Sequence, residues 1–452
     1  MSRVAVVGGG ITGLAAAHRL AQAGAEVVVV ESSERLGGKI WTQRNDEVVS
    51  EAGPDSFLDR EPWATSLCRE LGLGPELVAP AHFGALIWTG KRLGQLPAGF
   101  PHGIPASPYR AWRSGLLSAP GALRAYGDLF QPRRLSGPDL SVASFVVRRF
   151  GPEVLEALVD PVLAGTRAGE AEFLSLAAAT PPVNSLARKH RSLILGLRSQ
   201  PQSGPPPFLG IRGGMDRLVE RLAGVLEGRA RLLTGTKAHR LSSSSRGFEL
   251  RLEPGAPIEA EAVILAVPGY AAAGLVTELS PRAAALLKRI EHATVVSATL
   301  AFQPGAWAPP PDTSGLLVSR NAGRLLAACS WSSHKWPESA PADGSVVVRC
   351  FAGRAGRHPA LSASDQELTG RLAEDLRQVV GLDAPLAHGR ITRWERGLPE
   401  YRVGHLELVA AAERALAGHS RVALAGSSYR GSGLPDCIRQ GQEAAEQVLG
   451  QL

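Results

Sequence analysis

The sequence predicts an α/β protein in which one sheet is assembled from separated pieces of the chain, with other domains inserted between them. Three stretches predict this. Val4-Ala5-Val6-Val7, short and β-branched, runs into Gly8-Gly9-Gly10-Ile11-Thr12-Gly13 and then a helical pattern at Leu14, Ala17 and Leu20. Glu261 to Val267 reads as a buried strand ending at Pro268. Val422 to Ala425 is a third strand, and a glycine loop from Gly426 leads into a terminal helix whose Ile438, Ala445, Val448 and Leu449 share one face.

The first stretch has the chemistry of a dinucleotide turn. Gly8 permits the tight turn, Gly10 lets a pyrophosphate approach the backbone, and Gly13 lets helix and strand pack closely, so the helix N-terminus faces phosphate with unpaired N–H groups. A second buried strand, Val27 to Val30, ends at Glu31, placed to accept hydrogen bonds from a ribose. Ser32, Ser33, Glu34, Arg35, Leu36, Gly37, Gly38 and Lys39 follow, a basic, glycine-rich segment returning to the same crevice. A longer cofactor needs that second backbone approach, which favours FAD over NAD. The expected fold is therefore a discontinuous Rossmann-like FAD-binding domain (1–80, 208–270 and 398–452), a mixed α/β substrate domain (81–96 and 271–397) and an inserted helical domain (97–207).

Between these landmarks the chain reads in order. Gly53-Pro54-Asp55-Ser56 is a turn that suits approach to a flat ring, although an ordinary β-turn reads the same. Residues 62 to 77 read as a helix, and Leu86-Ile87-Trp88 and Leu93 to Leu96 as strands about the Gly90 turn. In the Pro-punctuated helical region, helices are legible at Ser141 to Phe150 and at Pro152 to Val159, with Pro161 expected to help stop the second. Gln200 to Pro207 reads as a linker. Gly213-Gly214-Met215-Asp216 caps a helix through Leu226, with strands at Arg231 to Thr234 and Lys237 to Leu241. A mainly β unit follows from Thr294 to about Gly397, carrying one helix around Asp365 to Val380. The positive end of the terminal helix is suited to stabilising negative charge on a reduced flavin's pyrimidine edge.

A chain of 452 residues implies two or three domains, and 44% hydrophobic with 20% charged residues is ordinary for a soluble enzyme. The first strand begins at the third or fourth residue, leaving no room for a signal peptide, and the longest apolar run, Ala262 to Val276, is broken by Pro268 and Gly269. Cys68, Cys329, Cys350 and Cys437 show no CxxC spacing, so a reduced, cytoplasmic protein is expected. The histidines show no pair at helical ligand spacing, so no metal is expected. From His82 to Arg134, seven Lys or Arg residues stand against one acid, Asp128. Nucleic acid is one possible partner for such a patch, but aromatic residues are sparse over the whole chain, at 5%, and no nucleic-acid module is recognisable. Two readings fit: Leu116-Leu117, Leu123, Tyr126, Leu129 and Phe130 lie on a bilayer, peripheral to its inner face, while Arg113, Arg124, Arg133 and Arg134 meet lipid phosphates, or the segment is a solvated helical face.

Several segments together resemble the flavin-dependent porphyrinogen oxidases of haem synthesis. They are Gly8 to Gly13, Glu31 to Lys39, Gly53 to Leu58, Ala168-Gly169 with Leu174-Ser175-Leu176, Lys189 to Gly196, Gly213-Gly214, Pro399-Glu400-Tyr401 with Gly404-His405, and Gly433 to Ile438. Lys189 to Gly196 is the specific one, because amine oxidases and carotene desaturases share the N-terminal fingerprint but not that string. Leu96-Pro97, Val318-Ser319-Arg320-Asn321, Lys335-Trp336-Pro337 and Leu434-Pro435-Asp436-Cys437-Ile438 bring it nearer the coproporphyrinogen branch than the protoporphyrinogen branch, as does Ala85 where many of the latter carry arginine. The resemblance implies FAD contacts from Gly8, Gly9, Gly10, Ile11, Thr12, Gly13, Glu31, Ser32, Arg35, Gly38, Lys39, Gly53, Pro54, Asp55, Ser56, Ala238, Trp394, Gly426, Ser432, Gly433 and Leu434. On the substrate side it points to Gly165, and it sets Leu316, Cys329 and Phe351 near segments that line the family's pocket, each of them equally readable as plain core. At Arg167 the family usually has an aromatic or apolar residue. Arg167 either reads a substrate carboxylate or points away at the surface, and the penalty for burying an unpaired charge favours the first.

The reaction so implied is hydride transfer from a porphyrinogen methylene bridge to flavin, with O2 as oxidant and hydrogen peroxide as product. No catalytic residue is expected, since the cofactor carries the hard chemistry and the protein supplies position and electrostatics. A flavin amine oxidase, or a flavin-fold protein that binds porphyrin without turnover, are the readings from other classes.

Overall fold

The computed structural model describes residues 2–44, 48–131, 134–167, 169–200, 208–305, 307–353 and 362–452. Arg133, Ala168 and residues 201–207 of the expected linker lie outside them.

The three separated stretches meet in a five-stranded, wholly parallel sheet, in the order Ala230–Leu233, Glu26–Val30, Arg3–Val7, Ala262–Leu265, Val422–Leu424. Apart from Arg3, Glu26 and Arg231 its strands are apolar, because both faces are covered. Val4, Val6, Val27, Val29 and Ile264 point to one side, where the helices Ile11–Gln22, Asp216–Leu226 and Leu434–Leu449 pack. Ala5, Val7, Val28, Val30 and Leu265 point to the other, beneath a three-stranded sheet spanning Lys237–Ser244, Gly247–Glu253 and Ile258–Ala260. The helices Gly269–Leu275, Pro281–Leu287 and His405–Leu416 share that second core.

A seven-stranded sheet forms the next layer, in the order Leu386–Pro399, His292–Phe302, Val346–Ala352, Leu326–Ser330, Thr313–Val318, Gly84–Trp88, Leu93–Gln95. Cross-strand register fixes its two faces. Leu86, Leu316, Cys329, Cys350 and Ala298 form one row, in one core with Leu368, Leu372 and Leu376 of the helix Asp365–Val380. The adjacent row is Ile87, Leu317, Ala328, Phe351, Ser297 and Thr392, on the opposite face.

The inserted region is helical, and its core gathers Ile104, Leu117, Phe145, Phe150, Leu158, Leu163 and Ile194. Ser141 caps Val142–Phe150 by accepting from the Ser144 N–H. Three expectations need correction. The helix from residue 62 stops at Glu70, and Gly72 (φ 78°) turns the chain. Pro161 does not end its helix: Pro152–Val154 passes into a wide π turn at Leu155–Val159 and on into Asp160–Arg167, and the widened turn accommodates a residue that lacks an N–H. Leu116 and Leu117 are core residues, not bilayer-facing ones, and the guanidinium of Arg124, an exposed residue, is engaged by the Val147, Arg148 and Arg149 carbonyls.

Candidate functional site

At the first glycine turn each glycine has a distinct steric reason. A Cβ on Gly8 (φ 107°) would sit 2.5 Å from the Ala266 carbonyl oxygen, and one on Gly13 only 1.9 Å from the Gly8 oxygen. A Cβ on Gly10 would meet nothing within 4 Å. Gly10 is thus the open side of the turn, and it begins a helix with no side-chain cap and no acid in its first turn. Unfilled space beside uncapped N–H groups fits a diphosphate.

Glu31 ties this turn to the end of the second strand. Its Oε2 accepts from the Gly9 N–H at 2.7 Å, and its Oε1 from the Ser33 N–H and hydroxyl, both at 2.8 Å, with the Ser32 hydroxyl at 3.3 Å. Oε1 is already filled by those serine donors, whereas Oε2 carries the single bond from Gly9 and keeps an acceptor site for a ribose. The second glycine segment closes from the other side, since the Gly37 N–H donates to the Gly9 carbonyl and a Cβ on Gly38 would lie 3.2 Å from Gly10 Cα. Arg35 acts within the protein: its guanidinium donates to the Leu36, Gly38 and Ile40 carbonyls and lies 4.6 Å from the Trp41 ring centre. Its part in the expected set is to fix the loop. Lys39 is half-buried, and burial lowers its pKa; among the described residues it has no hydrogen bond or ion pair. Ala238 is the second residue of Lys237–Ser244 and stands two residues after Thr236, whose N–H donates to the Glu31 carbonyl.

The Gly53 turn lies against this segment, a Cβ there falling 1.7 Å from the Lys39 carbonyl oxygen. Trp394 Nε1 donates to the Ala52 carbonyl at 2.9 Å, bringing the seven-stranded sheet to the same place. Asp55 is held inside the protein. Burial alone would raise its pKa, but Lys335 at 2.9 Å and Arg349 outweigh it and hold the carboxyl well below the usual range. Ser56 and Trp336 Nε1 also donate to it. Asp55 therefore locks the turn to the second layer, and its carboxylate is already matched.

The terminal loop completes the ring of elements. Gly426 (φ 123°) passes close to Thr12, and Gly433 caps the helix Leu434–Leu449 without a side-chain cap, Leu434 being buried. Tyr401 holds the loop: its hydroxyl donates to the Ser427 carbonyl at 2.6 Å and accepts from the Gly431 N–H at 3.0 Å. Burial pushes that phenol up. His405 stacks on Tyr401 at 4.2 Å and bonds the Tyr429 carbonyl. His292 bonds the Ile290 carbonyl through Nδ1, so this nitrogen carries the proton and Nε2 accepts from the Ser428 hydroxyl at 2.9 Å. Burial lowers His292 to about 4, keeping it neutral.

Arg167 does not point away. It ends the helix Asp160–Arg167, and its Nη1 donates to Ser432 Oγ at 2.7 Å, 5.9 Å from the Tyr401 ring centre. His102 lies close by, pushed down to about 4 by burial and by Arg167 and Arg60. Gly165, two residues earlier, packs on the second sheet, where a Cβ would meet Leu317 at 2.6 Å and Ala328 at 3.3 Å. Phe351 shares that face. Leu316 and Cys329 do not: they are 1% and 5% exposed in the core against Asp365–Val380. Of the two readings, plain core is the one that holds at these positions, and the pocket reading misses by one residue, because a step of one turns a strand residue to the opposite face. Leu317 and Ala328 occupy the facing positions.

Sequence reasoning left Tyr401, His292, Lys335 and Arg349 without roles, although Pro399-Glu400-Tyr401 and Lys335-Trp336-Pro337 had stood out as motifs. Among the described residues no cluster of His, Cys, Asp or Glu is fit to hold a metal ion, and no helix is long and apolar enough to cross a membrane.

Comparison with known proteins agrees with this geometry. A family model described as flavin containing amine oxidoreductase matches residues 11–449. Coproporphyrinogen III oxidase of Bacillus subtilis (strain 168) is 35% identical, covering 99% of this chain and 97% of its own length. The protein of the same name from Mycobacterium tuberculosis (strain H37Rv) is 35% identical over 98% and 96%, and protoporphyrinogen oxidase of Bos taurus 31% over 99% and 98%. Among solved structures, a candidate protoporphyrinogen oxidase from Exiguobacterium sp. 255-15 superposes with a TM-score of 0.90 at 30% identity, covering 100% of this chain and 99% of that one. A redesigned putrescine oxidase, at 17% identity and a TM-score of 0.73, shares the fold.

Proposed function

Because the chain belongs to the flavin containing amine oxidoreductase family, we propose that it binds FAD and oxidises coproporphyrinogen III to coproporphyrin III, with O2 as electron acceptor and hydrogen peroxide as product. The observation that carries this reading is Arg167, a cation held against Ser432 at the loop that opens the terminal helix. Identity supports the same branch, at 35% to the Bacillus subtilis relative against 31% to the Bos taurus protoporphyrinogen oxidase.

The chemistry that a bound flavin supplies is acceptance of hydride from carbon and reoxidation by O2. The chain's residues hold and orient. Gly10 and the uncapped start of Ile11–Gln22 would hold the diphosphate, and Glu31 the ribose. The positive start of Leu434–Leu449 would stabilise negative charge on the reduced ring. His292 and Tyr401, neutral at physiological pH, hold the loop without placing a charge beside the ring. Arg167 donates one bond to Ser432 and has further N–H groups for a propionate. Coproporphyrinogen carries four propionates against two on protoporphyrinogen, so a cation here favours the former. One charge-assisted hydrogen bond contributes about 1.5 to 3 kcal/mol, about tenfold to a hundredfold in affinity.

We read the exposed patch of the helical region as a surface that meets the inner face of a membrane. Leu123 and Phe130 are 75% and 83% exposed, with Tyr109 and Trp112 nearby among Arg110, Arg113 and Arg134. The test of the main reading is anaerobic bleaching of the bound flavin by coproporphyrinogen and protoporphyrinogen side by side. Faster bleaching by coproporphyrinogen supports the assignment; faster bleaching by protoporphyrinogen moves it to the sister activity.

A further inference from the structure

A second cavity, of about 290 Å³, opens where residues 49–51, 78–81, 210–214 and 332–339 meet the seven-stranded sheet. Of the residues expected to hold flavin, Asp55 alone lines it. Its walls are largely apolar, with Val49, Val78, Ile211, Val347 and the Trp336 indole. Arg349 lines it too. This residue is 6% exposed, its guanidinium lies 4.6 Å from the Phe351 ring centre, and among the described residues its Nε finds no hydrogen-bond partner. Its Nη1 stands 4.0 Å from Asp55, whose carboxylate is already matched by Lys335 at 2.9 Å. A buried guanidinium N–H without an acceptor is costly and calls for one.

We propose that this cavity binds a small carboxylate with an apolar body, its carboxylate accepting hydrogen bonds from Arg349. The planar guanidinium matches a planar two-oxygen acceptor. Apolar walls suit a hydrocarbon body, and 290 Å³ is roughly ten times the share of liquid volume of one water, room for a single ring. Glu51 makes the site pH-dependent. Burial pushes its carboxyl up to about 7, against the Met215 N–H, the Thr42 hydroxyl and Arg349, with Asp55 and Arg44 also facing it. When Glu51 is protonated, Arg349 is the uncompensated cation. An anion on Arg349 favours that protonated form, so it binds more tightly as pH falls through about 7.

The site stands apart from the porphyrinogen reading, and its test is direct binding. Benzoate, with neutral benzamide as control, is titrated calorimetrically into the full-length FAD-loaded protein at about pH 6 and about pH 8. Expected are saturable benzoate binding that is tighter at the lower pH, none with benzamide, and at least a tenfold loss in Arg349→Met and in Val78→Phe. Flavin bleaching by porphyrinogen continues with benzoate bound. Should Arg349→Met fail to fold, Val78→Phe decides, because it fills the cavity and leaves the arginine in place. The proposal is overturned by absence of saturable heat, by equal binding of benzamide, by unchanged affinity in Val78→Phe, or by competition between benzoate and porphyrinogen.

Discussion

Asp128 is the lone acid of a basic segment, and it is fully buried. Its Oδ1 accepts from Arg149 Nη1 at 2.8 Å, and its Oδ2 from the Ser192 hydroxyl at 2.7 Å and the Ile194 N–H at 2.9 Å. Arg149, 3% exposed, also donates to the Arg191 carbonyl at 2.9 Å. Asp128→Ala removes every one of those acceptors and leaves a cation in the core. Removing one partner of a buried pair costs about 3 to 5 kcal/mol, and two further donors lose their acceptor, so the upper part of that range is expected. Replacing both ends, Asp128→Leu with Arg149→Met, recovers much of the loss because no unpaired charge remains. The assay is urea unfolding followed by far-ultraviolet circular dichroism on FAD-loaded protein. A loss below about 1 kcal/mol for Asp128→Ala, or a double variant no more stable than the single, would refute the reasoning. The outcome bears on the site, because the helices anchored by Asp128 share one core with Leu163 of the helix that delivers Arg167.

Five further outcomes are expected. Arg167→Ala raises KM about tenfold or more for coproporphyrinogen and less for protoporphyrinogen; equal effects in steady-state kinetics reject the propionate role. Gly13→Ala forces a Cβ to 1.9 Å from a carbonyl oxygen, an overpacking of about 1–3 kcal/mol or more, and yields protein with reduced FAD content by absorbance. His102 and His292 are lowered from 6.5 to about 4, so the unfolded chain binds more protons in that window and stability rises with pH, by up to about 1.4 kcal/mol per unit for each. Glu51, raised from 4.5 to about 7, contributes stability that is lost as pH rises across its own window, so Glu51→Gln steepens the measured slope between about pH 4.5 and 6.5. Leu123→Glu with Phe130→Glu abolishes co-sedimentation with vesicles containing anionic lipid, and undiminished sedimentation removes the membrane reading.

The parallel sheet was legible because strands covered on both faces write themselves as unbroken apolar runs, and because the glycines of the first turn answer to sterics within a few residues. The pairs that close the site were not. Arg167 meets Ser432 and Asp55 meets Lys335 across 265 and 280 residues, and no local pattern encodes such a distance. In Leu316-Leu317 and Ala328-Cys329 both neighbours are apolar, so alternation could not tell the core face from the open one. Pro161 read as a terminator because an α-helix excludes it, whereas the chain widens into a π turn just ahead. Lys189 to Gly196 marked the family resemblance, yet the structure shows it working as architecture: Ser192 caps Leu193–Arg198 and donates to Asp128.

The central claim is that one flavin, held by three separated stretches of chain, takes electrons from a propionate-bearing tetrapyrrole precursor. Its most direct test is an anaerobic titration of the purified protein with coproporphyrinogen III, followed at the flavin absorbance band. The account predicts a yellow protein that bleaches as coproporphyrin appears and regains its colour, with hydrogen peroxide released, when air is admitted. A protein that takes up no FAD, or whose flavin stays oxidised under excess of either porphyrinogen, contradicts it.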